Sequence, residues 1–121
     1  MLSTCSGQIF GYLAGRNLRT YNGYHVGCLV GGEIFGADGF YLGEITRDQY
    51  LITDLSKRQK QRRPFQPFAP ARSLLKADDI APLEVVPGFA DFPPAKHFIR
   101  QREEKEMQQI EGLLRGYVEG R

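Results

Sequence analysis

The sequence predicts a mainly β fold in which up-and-down antiparallel hairpin repeats of 16 residues form a pseudo-fourfold, closed or nearly closed barrel, followed by a C-terminal α-helix. The first observation is that glycine recurs at intervals of 16 residues in the first half of the chain. The second is the composition, since fourteen glycines and 12% aromatic residues favour short strands and tight turns. The third is that both faces of the predicted strands carry apolar residues, which a curled or closed sheet buries.

The repeat is defined by two columns of glycine. They are Gly7, Gly23 and Gly39, and then Gly11, Gly27 and Gly43. Ser6, Asn22 and Asp38 precede the first column, and such pairs favour two-residue hairpin turns because glycine accepts positive φ. The second column falls inside the strands, where glycine indicates a bend or the close approach of another backbone. The repeats therefore run over 6–21, 22–37 and 38–53.

The 16-residue frame ends after the third repeat, because Leu55 stands where the next glycine would be. Six strands in an open meander would leave two exposed edges. The apolar segment 80–92, IAPLEVVPGFADF, is the predicted degenerate fourth unit, reached through a basic, proline-containing linker over 55–76. These parts together form one predicted domain over 1–94.

The glycine frame G-x-x-h-G-x-h (h, hydrophobic), the unit DGFYLGEI, the basic stretch after it and the segment PGFADFP resemble the bacterial four-fold β-flower family. The resemblance covers roughly residues 5–93, and the two glycine columns carry it. It implies four hairpin petals around a pseudo-fourfold axis, although the fourth unit departs from the frame. The family has no established activity, so the resemblance implies an architecture and no catalytic residue.

Residues 57–76 contain seven basic and no acidic side chains. One interpretation is a solvated linker whose phenylalanines pack against the barrel, or which pairs with the acidic segment 77–94. The alternative is a nucleic-acid-binding segment, since basic and aromatic residues together can pair with phosphates and stack on bases. That alternative uses Lys57, Arg58, Lys60, Arg62, Arg63, Phe65 and Phe68.

The tail over 95–121 follows Pro93-Pro94, a favourable helix start, and is helix-compatible. Its second half carries an apolar stripe at spacings of three and four, formed by Met107, Ile110, Leu113, Leu114, Tyr117 and Val118. Gly112 and Gly116 each cost about 1 kcal/mol in a helix interior, so this end needs a supporting surface. Two interpretations stand side by side: the stripe docks on its own barrel, or it binds a second copy or another protein.

The chain offers little that indicates catalysis. His25 falls in a strand column and His97 at the helix start, and two histidines with two cysteines do not form a metal-site spacing pattern. Glu44 and Asp48 flank a predicted turn, where carboxylates are usually solvated. No nucleophile elbow and no phosphate-binding loop occurs.

We therefore predict a non-enzymatic binding or assembly module without cofactor or metal, located in a bacterial cytoplasm. Its predicted partner is a second copy or another protein bound through the C-terminal helix, with nucleic acid as the alternative. No membrane partner is expected, because no segment approaches the roughly 18 apolar residues of a membrane span.

Overall fold

Eight strands and one long helix make up the computed structural model, which describes residues 1–72 and 76–119, with helix side chains as far as Leu113. The strands are β1 (Leu2–Thr4), β2 (Ile9–Ala14), β3 (Asn17–Thr20), β4 (His25–Val30), β5 (Glu33–Gly36), β6 (Tyr41–Thr46), β7 (Tyr50–Asp54) and β8 (Phe89–Asp91). A 3-10 turn, Leu55–Lys57, follows β7, and the helix α1 spans Ala95–Glu119.

The sheet closes on itself. Strands β1 to β7 pair with their neighbours in antiparallel fashion and in chain order. Strand β1 then pairs in parallel with β7, where Ser3 faces Tyr50, and this pairing closes a seven-stranded barrel. Strand β8 adds to β7 as an extra antiparallel strand, with Ile52 opposite Asp91. The predicted fold class, a closed β barrel of hairpins with a C-terminal helix, is confirmed.

The turns of the first glycine column are longer than the sequence predicts. The N–H of Thr4 donates to the carbonyl of Gln8 at 2.9 Å, so three residues rather than two form the loop. The same bond joins Thr20 to Tyr24 and Gly36 to Phe40, each at 2.9 Å. The glycines take φ values of 90°, 93° and 88°, and the neighbouring strand pairs shift register, as expected for a three-residue turn followed by a bulge.

The core fills the barrel and continues into the helix. Phe10, Leu18, Ile34 and Leu51 are completely buried. Phe92, which follows β8, packs edge to face on Phe10 with ring centroids 5.3 Å apart. Gly43, in the second glycine column, makes room for this ring, because a Cβ there would lie 2.7 Å from it. The first turns of α1 contribute further buried side chains, namely Ala95, Phe98 and Ile99.

The described residues between the 3-10 turn and β8, namely 58–72 and 76–88, are called the belt below. It runs back along the three glycine turns in reverse order. The N–H groups of Arg62, Ala71 and Ile80 donate to the carbonyls of Gly39, Gly23 and Gly7 at 2.8, 3.0 and 2.8 Å. Nine residues of belt thus separate successive turns that lie 16 residues apart in the barrel. The belt thereby ties the three petals together at one end of the barrel.

Candidate functional site

Helix α1 has two parts with different surroundings. Its first two turns pack on the barrel, and Arg102 makes the last described contact there, with its guanidinium 5.4 Å from the centre of the Tyr24 ring. Every described side chain from Glu103 to Leu113 is exposed. Residues 103–119 correspond to roughly 25 Å of helix at 1.5 Å per residue. We call them the projecting helix.

The predicted apolar stripe lies on the projecting helix. Met107, Ile110 and Leu113 are exposed by 61%, 56% and 74% of their surface. The first interpretation expects the stripe to dock on its own barrel, and these three side chains do not. The side chains of Leu114, Tyr117 and Val118, the other members of the stripe, lie outside the described residues.

The charges of α1 oppose its macrodipole. Its first turn has no acidic residue and its last turn no basic one. Residues 95–102 carry three basic and no acidic side chains, whereas 103–119 carry five acidic and two basic ones. Basic groups near the N-terminus and acidic groups near the C-terminus of a helix destabilise it. The charges at its two ends therefore do not stabilise α1.

The predicted basic segment is largely occupied by contacts with the barrel. The Nζ of Lys57 lies 3.1 Å from carboxylate oxygens of both Glu33 and Glu44, and that of Lys60 lies 2.9 Å from Glu33. The hydrogen bond from Lys60, and next that from Lys57, lowers the pKa of Glu33. Arg62 lies over the Phe35 ring at 5.7 Å.

Of the remaining predicted nucleic-acid residues, Arg58 and Arg63 are exposed. Phe65 and Phe68 both stack on His25, with ring centroids 5.0 and 5.2 Å away. Phe65 is half-buried, as the linker interpretation predicts, whereas Phe68 keeps 58% of its surface exposed.

His25 is a structural residue. It is 2% exposed, its Nε2 lies 3.0 Å from the Gly27 carbonyl, and its Nδ1 accepts the N–H of Phe68 at 3.0 Å. Both ring nitrogens are thereby used by a neutral imidazole with its proton on Nε2. Burial lowers the pKa of His25 below its usual 6.5 against the opposing effect of the Gly27 bond, and the charges of Arg19 and Arg102 lower it further.

The other residues considered for catalysis or metal binding have structural contacts or lie at the surface. Glu44 accepts a hydrogen bond from the Tyr41 hydroxyl at 2.7 Å, and Asp48 lies exposed in a turn with φ of 61°. Burial, and next the charge of Asp91, raises the pKa of the Cys5 thiol to about 11, and that thiol donates to the Leu51 carbonyl. In residues 1–72 and 76–119, no group of three or more histidine, cysteine or carboxylate side chains is arranged to hold a metal ion.

The sequence did not predict a cleft of about 490 Å³ beside α1. It lies between the helix, the Gly36–Asp38 turn and the belt at 65–67. These three segments are far apart in sequence, and no local pattern indicates that they meet. Helical spacing of Phe98, Arg102 and Lys105 was the one available signal, since it puts an apolar and two basic side chains on neighbouring turns.

Comparisons with protein-family models, with curated proteins and with solved structures find no match to this chain. The resemblance to the four-fold β-flower family stays a prediction. Across the described ranges, no helix has both the length and the apolar character needed to span a membrane.

Proposed function

We propose that the protein is a non-catalytic assembly module that pairs with a second copy of itself through the projecting helix, in antiparallel orientation. The observation that carries the proposal is the exposure of Met107, Ile110 and Leu113 on a helix that has left the barrel. Apolar side chains at this spacing are the usual means by which two helices pack.

The helix dipole favours a second copy in antiparallel orientation. Because the stripe is centred near Ile110, such pairing brings the acidic C-terminal end of each helix, near residue 119, toward the last basic residues of the segment 95–102 of the other. It also sets the two macrodipoles in opposite directions, so that each helix end lies near an end of opposite partial charge. A parallel pair would set ends of like partial charge side by side.

The expected affinity is moderate. Burying three side chains from each copy contributes about 9–18 kcal/mol, at about 1.5–3 kcal/mol for each. Association costs about 4–15 kcal/mol in lost freedom of motion. The two ranges overlap, so the net free energy is small and we expect the dimer to form at high rather than low protein concentration.

Nucleic-acid binding by residues 57–68 is the second candidate. It has less support, because Lys57, Lys60 and Arg62 contact the barrel and both phenylalanines stack on His25. The features in its favour are the exposed Arg58 and Arg63 and the exposed fraction of Phe68, which is 58%. It predicts nucleic acid that co-purifies at low salt and is lost at high salt.

Size-exclusion chromatography with light scattering tests the assembly proposal. At high protein concentration we expect a mass of twice 13.7 kDa. Ile110→Glu, which puts a charge in the stripe, is expected to give a monomer with an unchanged circular dichroism spectrum in the β region. Gln108→Glu, an exposed position on the opposite face, is the matched control and should stay dimeric. A monomeric wild-type protein, or a dimer that survives Ile110→Glu, contradicts the proposal.

A further inference from the structure

The geometry points to a binding site for a small organic carboxylate with an apolar body in the cleft beside α1. This inference goes beyond the assembly function and does not use the apolar stripe. The volume of about 490 Å³ is within the range of roughly 300–1,000 Å³ that is usual for small-molecule sites. The combination of an apolar floor with cationic side chains at one wall defines the ligand class.

The floor of the cleft is apolar because the barrel end is covered unevenly. Phe92 and Phe98 close over Phe10, which is completely buried. On the other side, Leu42 stays half-buried and lines the cleft together with Val26. A short hydrocarbon or aromatic body placed there would bury apolar surface that α1 leaves open.

The wall of the cleft formed by α1 is basic. Arg102 and Lys105 line it, whereas Asp38 is the acidic lining residue and already accepts the N–H of Phe40 at 3.0 Å. The guanidinium of Arg102 is positioned by the Tyr24 ring and by a 3.4 Å bond from its Nη1 to the His25 carbonyl. A guanidinium has five N–H donors, so several remain for a carboxylate.

The walls also give the site a defined shape. His25, which forms part of the lining, is fixed by hydrogen bonds at both ring nitrogens. Phe65 is stacked on it, and the Phe65 N–H donates to the Ala37 carbonyl at 3.0 Å. The belt and the turn are thereby held together before any ligand binds, which lowers the entropic cost of binding.

Amide NMR titrations of the full-length protein with octanoate, octan-1-ol and acetate test the site. Octanoate is expected to shift the amides of Ala37, Gln66 and Gln101 with saturation, at a dissociation constant of about 1 mM or below. Octan-1-ol has the same body without the charge, and we expect it to bind at least about fivefold more weakly, since charge-assisted hydrogen bonds are lost. Acetate should produce no saturable shift.

Two matched pairs of variants place the site. Gln101→Trp fills part of the cleft and should abolish octanoate binding, whereas Lys96→Trp, at an exposed position on another face of the helix, should retain it. Lys105→Gln should weaken octanoate binding, and Lys96→Gln should not. Equal affinity for octan-1-ol, saturable shifts outside the cleft, or the absence of any saturable shift would each overturn the inference.

Discussion

The belt has a measurable consequence at the Gly23 turn. Gly23 has φ of 93°, its carbonyl accepts the N–H of Ala71, and a Cβ added to it would overlap the Ala71 carbonyl. Gly15 also has positive φ, 62°, but a Cβ there would meet nothing within 4 Å. The substitutions Gly23→Ala and Gly15→Ala therefore share the cost of a left-handed backbone and differ in the belt contact.

The magnitudes follow from these contacts. A non-glycine residue with positive φ costs about 1–2 kcal/mol, which is the whole expected effect of Gly15→Ala. In Gly23→Ala the belt must move away, so a hydrogen bond of about 0.5–1.5 kcal/mol is lost as well. We expect the free energy of unfolding to fall by about 1.5–3.5 kcal/mol for Gly23→Ala, about 1 kcal/mol more than for Gly15→Ala.

Urea denaturation measures the difference between the two variants, and hydrogen exchange at the Ala71 amide locates it. Gly23→Ala should accelerate that exchange, and Gly15→Ala should leave it unchanged. If both variants lose the same stability and the Ala71 amide stays protected in Gly23→Ala, the belt is not held at this turn and the reasoning is refuted.

Three other predictions follow from the buried side chains. Phe92→Ala should lower the free energy of unfolding by about 3–5 kcal/mol in urea denaturation, since it empties a site against Phe10; a loss below about 1 kcal/mol would contradict this packing. Native-state thiol labelling at pH 8 should modify half-buried Cys28 before Cys5, because about one in a thousand Cys5 thiols is ionised at a pKa near 11; faster labelling of Cys5 would be the opposite result. Because the folded pKa of His25 lies below its unfolded value of about 6.5, the unfolded chain binds the proton first, and stability should fall as pH decreases below about 6.5 toward the folded pKa. In urea denaturation at several pH values, this loss of stability at low pH should be absent in His25→Gln and present in His97→Gln. A pH profile of stability that is unchanged in His25→Gln would refute the prediction.

Local patterns were sufficient for the barrel. Glycine at three equivalent turns and apolar residues between them predict hairpins, because turn geometry and burial act within a few residues of each other. The predicted length of those turns was wrong by one residue, since Ser6, Asn22 and Asp38 occupy the second position of the loop and glycine occupies the third. Three-residue loops with glycine at the left-handed position and two-residue loops share the same dipeptide signature.

Contacts across long sequence separations were not accessible in this way. The bonds from Arg62, Ala71 and Ile80 to the glycine turns are backbone bonds, which leave no side-chain signature. The role of His25 depends on Phe65 and Phe68, which lie 40 and 43 positions later in the chain. The exposure of the stripe on α1 depends on where the barrel ends, and the sequence of the helix alone does not contain that boundary.

The candidate functional surfaces both arise where the repeat symmetry is broken. The three repeats present equivalent turns and equivalent apolar residues at Phe10, Val26 and Leu42, so the barrel by itself would expose or bury them alike. The chain after the third repeat then covers Phe10 with Phe92 and Phe98 and leaves Leu42 half-buried. Helix α1 packs chiefly on β2 and β3, at one side of the barrel, and its later turns extend beyond these contacts. An off-centre helix therefore explains the cleft and the projecting helix together, and a helix centred on the barrel axis would have closed the cleft.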